Sequence, residues 1–256
     1  MDRDQCFIFN GNCLDIMRKL PNESFHLIFT DPPYGETSYE WDMFNIDWID
    51  QCKRLLKPEG SLWIWGSLRY ILGIDTIIGD LGFRLSQDLV WEKNNGSGFS
   101  NDRFRRVHQF LVQYYCGKWS DIYKNVLYEP TGRSGSVTRS ATEAGLHGKR
   151  KSVTTQLNKR IVRSVIKNKQ RRGVGHPTAK PLDISEKIIR YSCPEDGFVL
   201  DPFAGSCTTA IAAVRSGCHF TMIEKDEKYF EIGSKLVQQE INSCDGMSKD
   251  QALKNF

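Results

Sequence analysis

Leu27-Ile28-Phe29-Thr30-Asp31-Pro32-Pro33-Tyr34 is the stretch that decides how the rest of the chain is read. The apolar run Leu27-Ile28-Phe29 has the length and composition of a short buried strand. Two prolines then stop the strand and stiffen the backbone beyond it. A carboxylate, a rigid carbonyl and an aromatic ring are thereby presented together at a strand's carboxyl end, where open α/β sheets bind ligands. Two acceptors and a stacking face suit a flat aromatic amine, such as the amino group of a nucleic-acid base.

Outward from this turn, strands and helices alternate. Strands are predicted at 5–9, 26–30, 62–65, 84–91, 108–116, 198–200 and 219–224, and helices at 13–20, 45–57, 68–80, 182–192, 208–216 and 227–240. Lys57-Pro58-Glu59-Gly60 is a helix stop. The alternation predicts an α/β fold with a doubly wound, mostly parallel sheet. Regular patterning fades over 120–175, where Gly, Ser, Thr and basic residues dominate. Val153, Leu157, Ile161, Val162 and Val165 are nevertheless spaced for one face of a helix over 153–169. Residues after Asn242 are expected to fray.

At 256 residues the chain can bury one substantial core with a small appendage. No apolar run is long enough to span a bilayer, and Met1-Asp2-Arg3-Asp4-Gln5 has no apolar signal core, so a cytoplasmic protein is expected. Eight cysteines are scattered with no C-x-x-C pair, which argues for reduced core thiols and against a metal site. The net charge of +4 hides an asymmetry. Between Pro130 and Gly175 there are twelve cations and one acid, Glu143; that stretch carries +11 and the remainder −7. A mildly acidic body with one strongly basic segment suggests a polyanionic partner.

A second constellation, Asp201-Pro202-Phe203-Ala204-Gly205-Ser206-Cys207-Thr208-Thr209, lies between a predicted strand and helix. Gly205 and its small neighbours let the backbone approach a ligand, and the helix amides that follow can receive a negative group. Glu224, at the end of the next strand, is spaced to accept hydrogen bonds from a ribose diol. The site therefore suits a nucleoside with an amino-acid-like or anionic tail. There is no G-x-x-x-x-G-K-[ST] phosphate loop, and the missing G-x-G-x-x-G disfavours a nicotinamide-dependent oxidoreductase.

Taken together, these residues resemble the S-adenosylmethionine-dependent DNA amino-methyltransferases of the β-group. The order carries the resemblance: the DPPY turn first, a basic variable region next, the glycine bend last. GNCL (11–14), LIFTDPPYG (27–35), WEKNNGSG (91–98), RFRRVHQF (103–110), HPTAKP (176–181), DPFAGS (201–206) and IEKD (223–226) all look like pieces of that family, in its order. The resemblance implies a circularly permuted, Rossmann-like methyltransferase sheet. A catalytic half would span 1–119, a target-recognition region 120–175, a cofactor half 176–242 and a frayed tail 243–256.

By the same resemblance, S-adenosylmethionine is the cofactor. Asp201, Phe203, Ala204, Gly205 and Ser206 would line its methionine end, and Glu224 would hold the ribose hydroxyls. Thr178, Lys180 and Pro181 would close over the methionine part, Asn12 and Cys13 would lie beside the adenine, and Asp31 would be shared with the catalytic set. Asp31, Pro32, Pro33 and Tyr34 would carry methyl transfer to the N6 of an adenine flipped out of double-stranded DNA. Tyr34 would stack on the base, while the Asp31 carboxylate and the Pro32 carbonyl accept its amino hydrogens.

Arg103, Arg105, Arg106, Arg133, Arg139, Lys149, Arg150 and Lys151 are the candidates for phosphate contacts. Adenine is preferred to cytosine N4 because the family's cytosine enzymes more often carry Ser in place of Asp31. An RNA methyltransferase of the same chemistry and a silent nucleic-acid binder are the alternatives. A homodimer and a cognate restriction nuclease are further partners the resemblance allows. Two positions depart from the common pattern: Cys207 stands where many relatives have Gly, and Asn12 where many have Asp. Both imply weakened rather than lost cofactor binding.

Overall fold

In the computed structural model, residues 5–36, 42, 45–97, 102–139, 153–168 and 180–245 are described. The main unit comprises residues 1–125 and 164–256. Its first part runs β1 (Phe7–Asn10), α1 (Cys13–Met17), β2 (Phe25–Thr30), α2 (Asp47–Leu55), β3 (Leu56–Gly66), α3 (Leu68–Asp80), β4 (Phe83–Ser97) and β5 (Arg106–Cys116). The second unit, Val126–Arg163, holds β6 (Tyr128–Pro130), β7 (Ser136–Arg139), β8 (Val153–Gln156) and β9 (Lys159–Ile161). The chain then returns to the main unit with β10 (Val165–Asn168), α4 (Leu182–Ser192), β11 (Phe198–Asp201), α5 (Thr208–Arg215), β12 (His219–Glu224) and α6 (Glu227–Asp245).

Eight strands form one sheet in the order β1-β12-β11-β2-β3-β5-β4-β10. All are parallel except β5, which runs antiparallel to both β3 and β4. This is the doubly wound, mostly parallel sheet expected. Successive side chains of a strand point to opposite faces, and both faces are covered here. Leu27, Phe29, Trp63, Trp65, Phe220 and Met222 pack in one core with residues of α4, α5 and α6. Ile28, Leu62, Ile64 and Ile223 pack in the other with residues of α1, α2 and α3. That two-sided burial is why the strands read as continuous apolar runs rather than alternating ones. Among the described residues no helix is long and apolar enough to cross a membrane.

The strand order positions the site. From β11 the chain crosses by α5 to β12 on one side; from β2 it crosses by α2 to β3 on the other. The border between β11 and β2 is thus a switch point, where diverging connections leave a crevice beyond the strand ends. The late segment β11–α5–β12 is inserted between β1 and β2 in space, which brings residues about 170 positions apart in sequence side by side.

Several expectations are corrected. No helix spans 153–169: β8, β9 and β10 lie there instead, with β6 paired to β9 and β7 to β8 as antiparallel ribbons. The spacing of Val153, Leu157, Ile161 and Val165 fits a helix, but β-branched residues also favour strands, and short-range pairing prevails. The compact second unit, Val126–Arg163, lies within the 120–175 stretch. The Tyr123 amide donates to the Glu59 carbonyl at 2.8 Å and the Asn125 amide to the Tyr191 carbonyl at 2.8 Å, tying the preceding segment to the main unit. At the other end, β10 joins the main sheet beside β4. Helix α1 ends at Met17 rather than at residue 20, and α6 continues past Asn242 to Asp245.

Candidate active site

Strand β2 delivers Asp31 to the crevice and β11 delivers Asp201. The Thr30 hydroxyl donates to Asp201 Oδ1 at 2.8 Å and so ties the two strand ends together. Asp201 also accepts from the Thr209 hydroxyl at 2.7 Å and from the Phe203 amide at 3.1 Å. It is 3% exposed. Burial pushes its carboxyl up to about 6, against those three hydrogen bonds and with help from the negative charge of Asp31.

Beyond Asp201 the backbone turns through left-handed conformations at Gly205 (φ +53°) and Cys207 (φ +59°). For an L-residue this geometry costs about 1–2 kcal/mol, a physical reason for glycine at the position of Cys207. The Cys207 side chain is fully buried and lies over Gly233 of α6, where an added Cβ would stand 2.6 Å from its sulfur. Gly233→Ala is therefore expected to destabilise the fold by about 1–3 kcal/mol. A Cys207→Gly/Gly233→Ala double variant should recover most of that loss in thermal unfolding. Glu224, at the end of β12, accepts from the Gly205 amide at 2.7 Å and the Asp226 amide at 2.8 Å. Burial raises its carboxyl above the usual range while those amides pull it down. One lone pair on each oxygen remains for a ligand.

The DPPY turn is held by a residue that the sequence did not single out. Asp42 Oδ1 accepts from the amides of Tyr34 at 2.6 Å and Gly35 at 2.8 Å, and its Oδ2 from that of Glu36 at 2.9 Å. Glu36 in turn accepts from the Ser67 hydroxyl at the start of α3. The Tyr34 ring leans on Tyr70, with centroids 4.8 Å apart. Its hydroxyl donates to Asp31 Oδ1 and accepts from Gln109 Nε2 at 2.8 Å. Burial and the adjacent carboxylate hold the Tyr34 phenol far above its ordinary value, so it remains a donor. Asp31 Oδ2 receives the Lys180 ammonium, which also faces the Trp65 ring at 5.8 Å. Lys93 lies over Trp91 at 4.7 Å. Burial, then Lys180 and Arg106, push it down to about 8, with Asp31 opposing.

These groups border one cleft of about 1240 Å³. Asn12, Cys13, Asp31, Pro32, Pro33, Tyr34, Arg106, Lys180, Asp201, Phe203, Ala204, Gly205, Ser206 and Glu224 all line it. Asn12 also caps α1, accepting from the Leu14 amide at 2.9 Å. Cys13 is pushed up to about 11 by burial and stays a thiol at neutral pH. Pro181 does not line the cleft; it is buried as the N-cap of α4. Arg103 and Arg105 are exposed outside it, Arg103 being paired with Asp102 at 2.9 Å. Arg133 and the backbone of Arg139 belong to the second unit. Thr178, Lys149, Arg150 and Lys151 fall outside the described residues. Chemically, the cleft offers a buried acid, Asp201, and a partly buried one, Glu224, on one side and a braced acceptor turn on the other.

A family profile of DNA methylases, the N6/N4 group, matches residues 25–235. Two relatives match over 91% of this chain. The Type II methyltransferase M.HinfI of Haemophilus influenzae is 29% identical, with 68% of its own length covered. The Type II methyltransferase M2.MboI of Moraxella bovis is 28% identical, with 87% covered. Among solved structures, the M1.HpyAVI–SAM complex aligns with a TM-score of 0.65 at 24% identity, covering 90% of this chain and 99% of that one. The cytosine-N4-specific PvuII DNA methyltransferase aligns with a TM-score of 0.65 at 17% identity, covering 92% and 90%. At these identities the two structures speak for the fold.

Proposed function

The chain belongs to the N6/N4 DNA methylase family, and from that premise we propose that it transfers a methyl group from S-adenosylmethionine to the N6 of a flipped-out adenine in DNA. One observation carries the reading: Asp31 and Gly205, 174 positions apart, border the same cleft, and the Thr30–Asp201 hydrogen bond joins the strands that bear them. The Type II designation of both relatives supports a DNA-modifying role.

The residues present fit the cofactor. Glu224 keeps acceptor capacity on both oxygens, as a vicinal diol requires. Buried Asp201 offers negative charge to a cationic methionine end. Phe203, held edge-on by Trp48 at 5.4 Å, gives the same side of the cleft an apolar wall. When bound, S-adenosylmethionine supplies an electrophilic methyl group whose leaving group is a neutral thioether.

The chain's own work is alignment. Asp42 locks the amides of residues 34–36, and Tyr34 and Lys180 hold the Asp31 carboxylate, so the turn is braced before substrate arrives. An entering amino group shares Asp31 with Tyr34 and Lys180 or displaces them. Its hydrogens then point to Asp31 and the Pro32 carbonyl, which localises the nitrogen lone pair toward the methyl group. The positive charge that grows on the amine is met by the Asp31 carboxylate, and the methylated nitrogen then releases one of its two hydrogens as a proton, to that carboxylate or to water. Asp31 at the head of the turn supports adenine, because the family's cytosine enzymes more often carry serine there.

The test is product identity. Purified protein is incubated with unmethylated DNA and labelled S-adenosylmethionine, and the DNA is digested to nucleosides and resolved by mass spectrometry. N6-methyldeoxyadenosine is expected. N4-methyldeoxycytidine would move the assignment to cytosine, and label entering RNA alone would overturn the DNA assignment.

A further inference from the structure

Phe104 lies in the loop between β4 and β5, and its ring is fully exposed. The next most exposed phenylalanine among the described residues, Phe7, is 46% exposed. A single exposed aromatic needs no explanation by itself. The position of this one does. It is flanked by Arg103, Arg105 and Arg106, all exposed, and Arg106 lines the cleft together with His108 and Gln109. Gln109 in turn donates to the Tyr34 hydroxyl at 2.8 Å. An extended chain advances about 3.3 Å per residue, so Phe104 stands within roughly 17 Å of the residue that touches the catalytic turn. The apolar ring is thus carried on an exposed, arginine-flanked loop two residues before Arg106, which lines the cleft.

We propose that Phe104 is the wedge that occupies the gap left in the base stack when the target nucleotide swings out, an inference that rests on the DNA-methylation reading above. Extruding a base breaks its pairing and its stacking on both neighbours. An apolar side chain slipped between base steps compensates for part of that loss, and phenylalanine is among the residues proteins use in this way. Phosphates flanking the opened step meet Arg105 and Arg106, which positions the ring without reading sequence. The occupant is double-stranded DNA, chosen by the joint presence of cations for its backbone and an uncovered ring for its stack.

The test uses the full chain and a short duplex carrying a site located by modification-sensitive sequencing of DNA that the purified protein has methylated. Phe104→Ala is expected to lower kcat/KM on the matched duplex by about 10- to 100-fold, with thermal unfolding and S-adenosylmethionine affinity unchanged. Phe104→Trp should keep most of the activity, since stacking surface is what the site requires. On a duplex whose target base faces an abasic site, where opening is easier, the alanine variant should recover most of its deficit. Equal activity of Phe104→Ala and wild type on the matched duplex overturns the wedge, as does an undiminished deficit opposite the abasic site. Failure of the wild type to methylate any DNA is a separate outcome: it removes the underlying reading itself.

Discussion

Asp31→Ala is expected to lower kcat roughly a thousandfold, with a far smaller loss of S-adenosylmethionine affinity. The expectation follows from where the carboxylate sits. Among the cleft-lining groups, Asp31 receives both the Tyr34 hydroxyl and the Lys180 ammonium, at the head of the turn to which the proposed mechanism brings the target amine. Its removal takes away the acceptor that orients that amine and meets its growing charge. The cofactor side has its own hydrogen bonds, centred on Asp201 and Glu224, and should survive. A spectroscopic signature separates this role from general disruption. Asp31 opposes the depression of Lys93, so without it the Lys93 amine should fall below its present value of about 8. Nuclear magnetic resonance titration of Lys93 can follow that drop. An alanine variant that methylates at the wild-type rate would remove Asp31 from the mechanism.

The convergence behind this prediction was legible because each half announces itself locally. A buried strand followed by Pro32-Pro33, and another followed by Pro202 and Gly205, place two functional turns at strand ends without any knowledge of the sheet. The residues that brace those turns were not legible. Asp42 lies in a stretch with no periodicity, and only the folded backbone shows that its carboxylate faces three consecutive amides. Gln109 and Lys93 reach the cleft because β5 runs antiparallel between β3 and β4, a direction that strand propensity does not encode. Cys207 was visible as a departure from glycine. Its match with Gly233, 26 positions later, required the packing of α6 against the glycine bend. The helix expected over 153–169 shows the converse: apolar spacing of four suited a helix, but the β-branched residues at those positions pair as strands.

The second large effect concerns Asp201, whose burial sets stability against function. Its folded carboxyl lies at about 6, above the model-peptide value of 3.8. The native state therefore binds a proton more tightly than the unfolded chain does. With that sign, the contribution of Asp201 to stability is highest below the unfolded value, declines as pH rises from about 3.8 to 6, and is flat above. The accumulated cost of keeping the acid ionised at pH 7.5 is about 3 kcal/mol, at 1.36 kcal/mol per unit. Asp201→Asn removes that titration and retains an oxygen for Thr30 and the Phe203 amide, while its Nδ2 donates to the Thr209 hydroxyl in place of the bond Asp201 accepts from it. The cofactor-free variant is thus expected to be more stable than wild type at pH 7.5 by about 1–3 kcal/mol, an advantage that shrinks as pH falls from 6 toward 4. The same change withdraws the negative charge offered to the cofactor's cationic end, so S-adenosylmethionine affinity should fall by about 10- to 100-fold. In wild type, affinity should weaken as pH drops below 6 and Asp201 takes up its proton; the variant should lose that component and keep only the one due to Glu224. Denaturant unfolding and calorimetric titration across pH 5.5–8 measure both effects. A variant that is less stable than wild type at pH 7.5, with the acid-side slope preserved, would show that Asp201 is there to hold the fold together and not to receive a ligand.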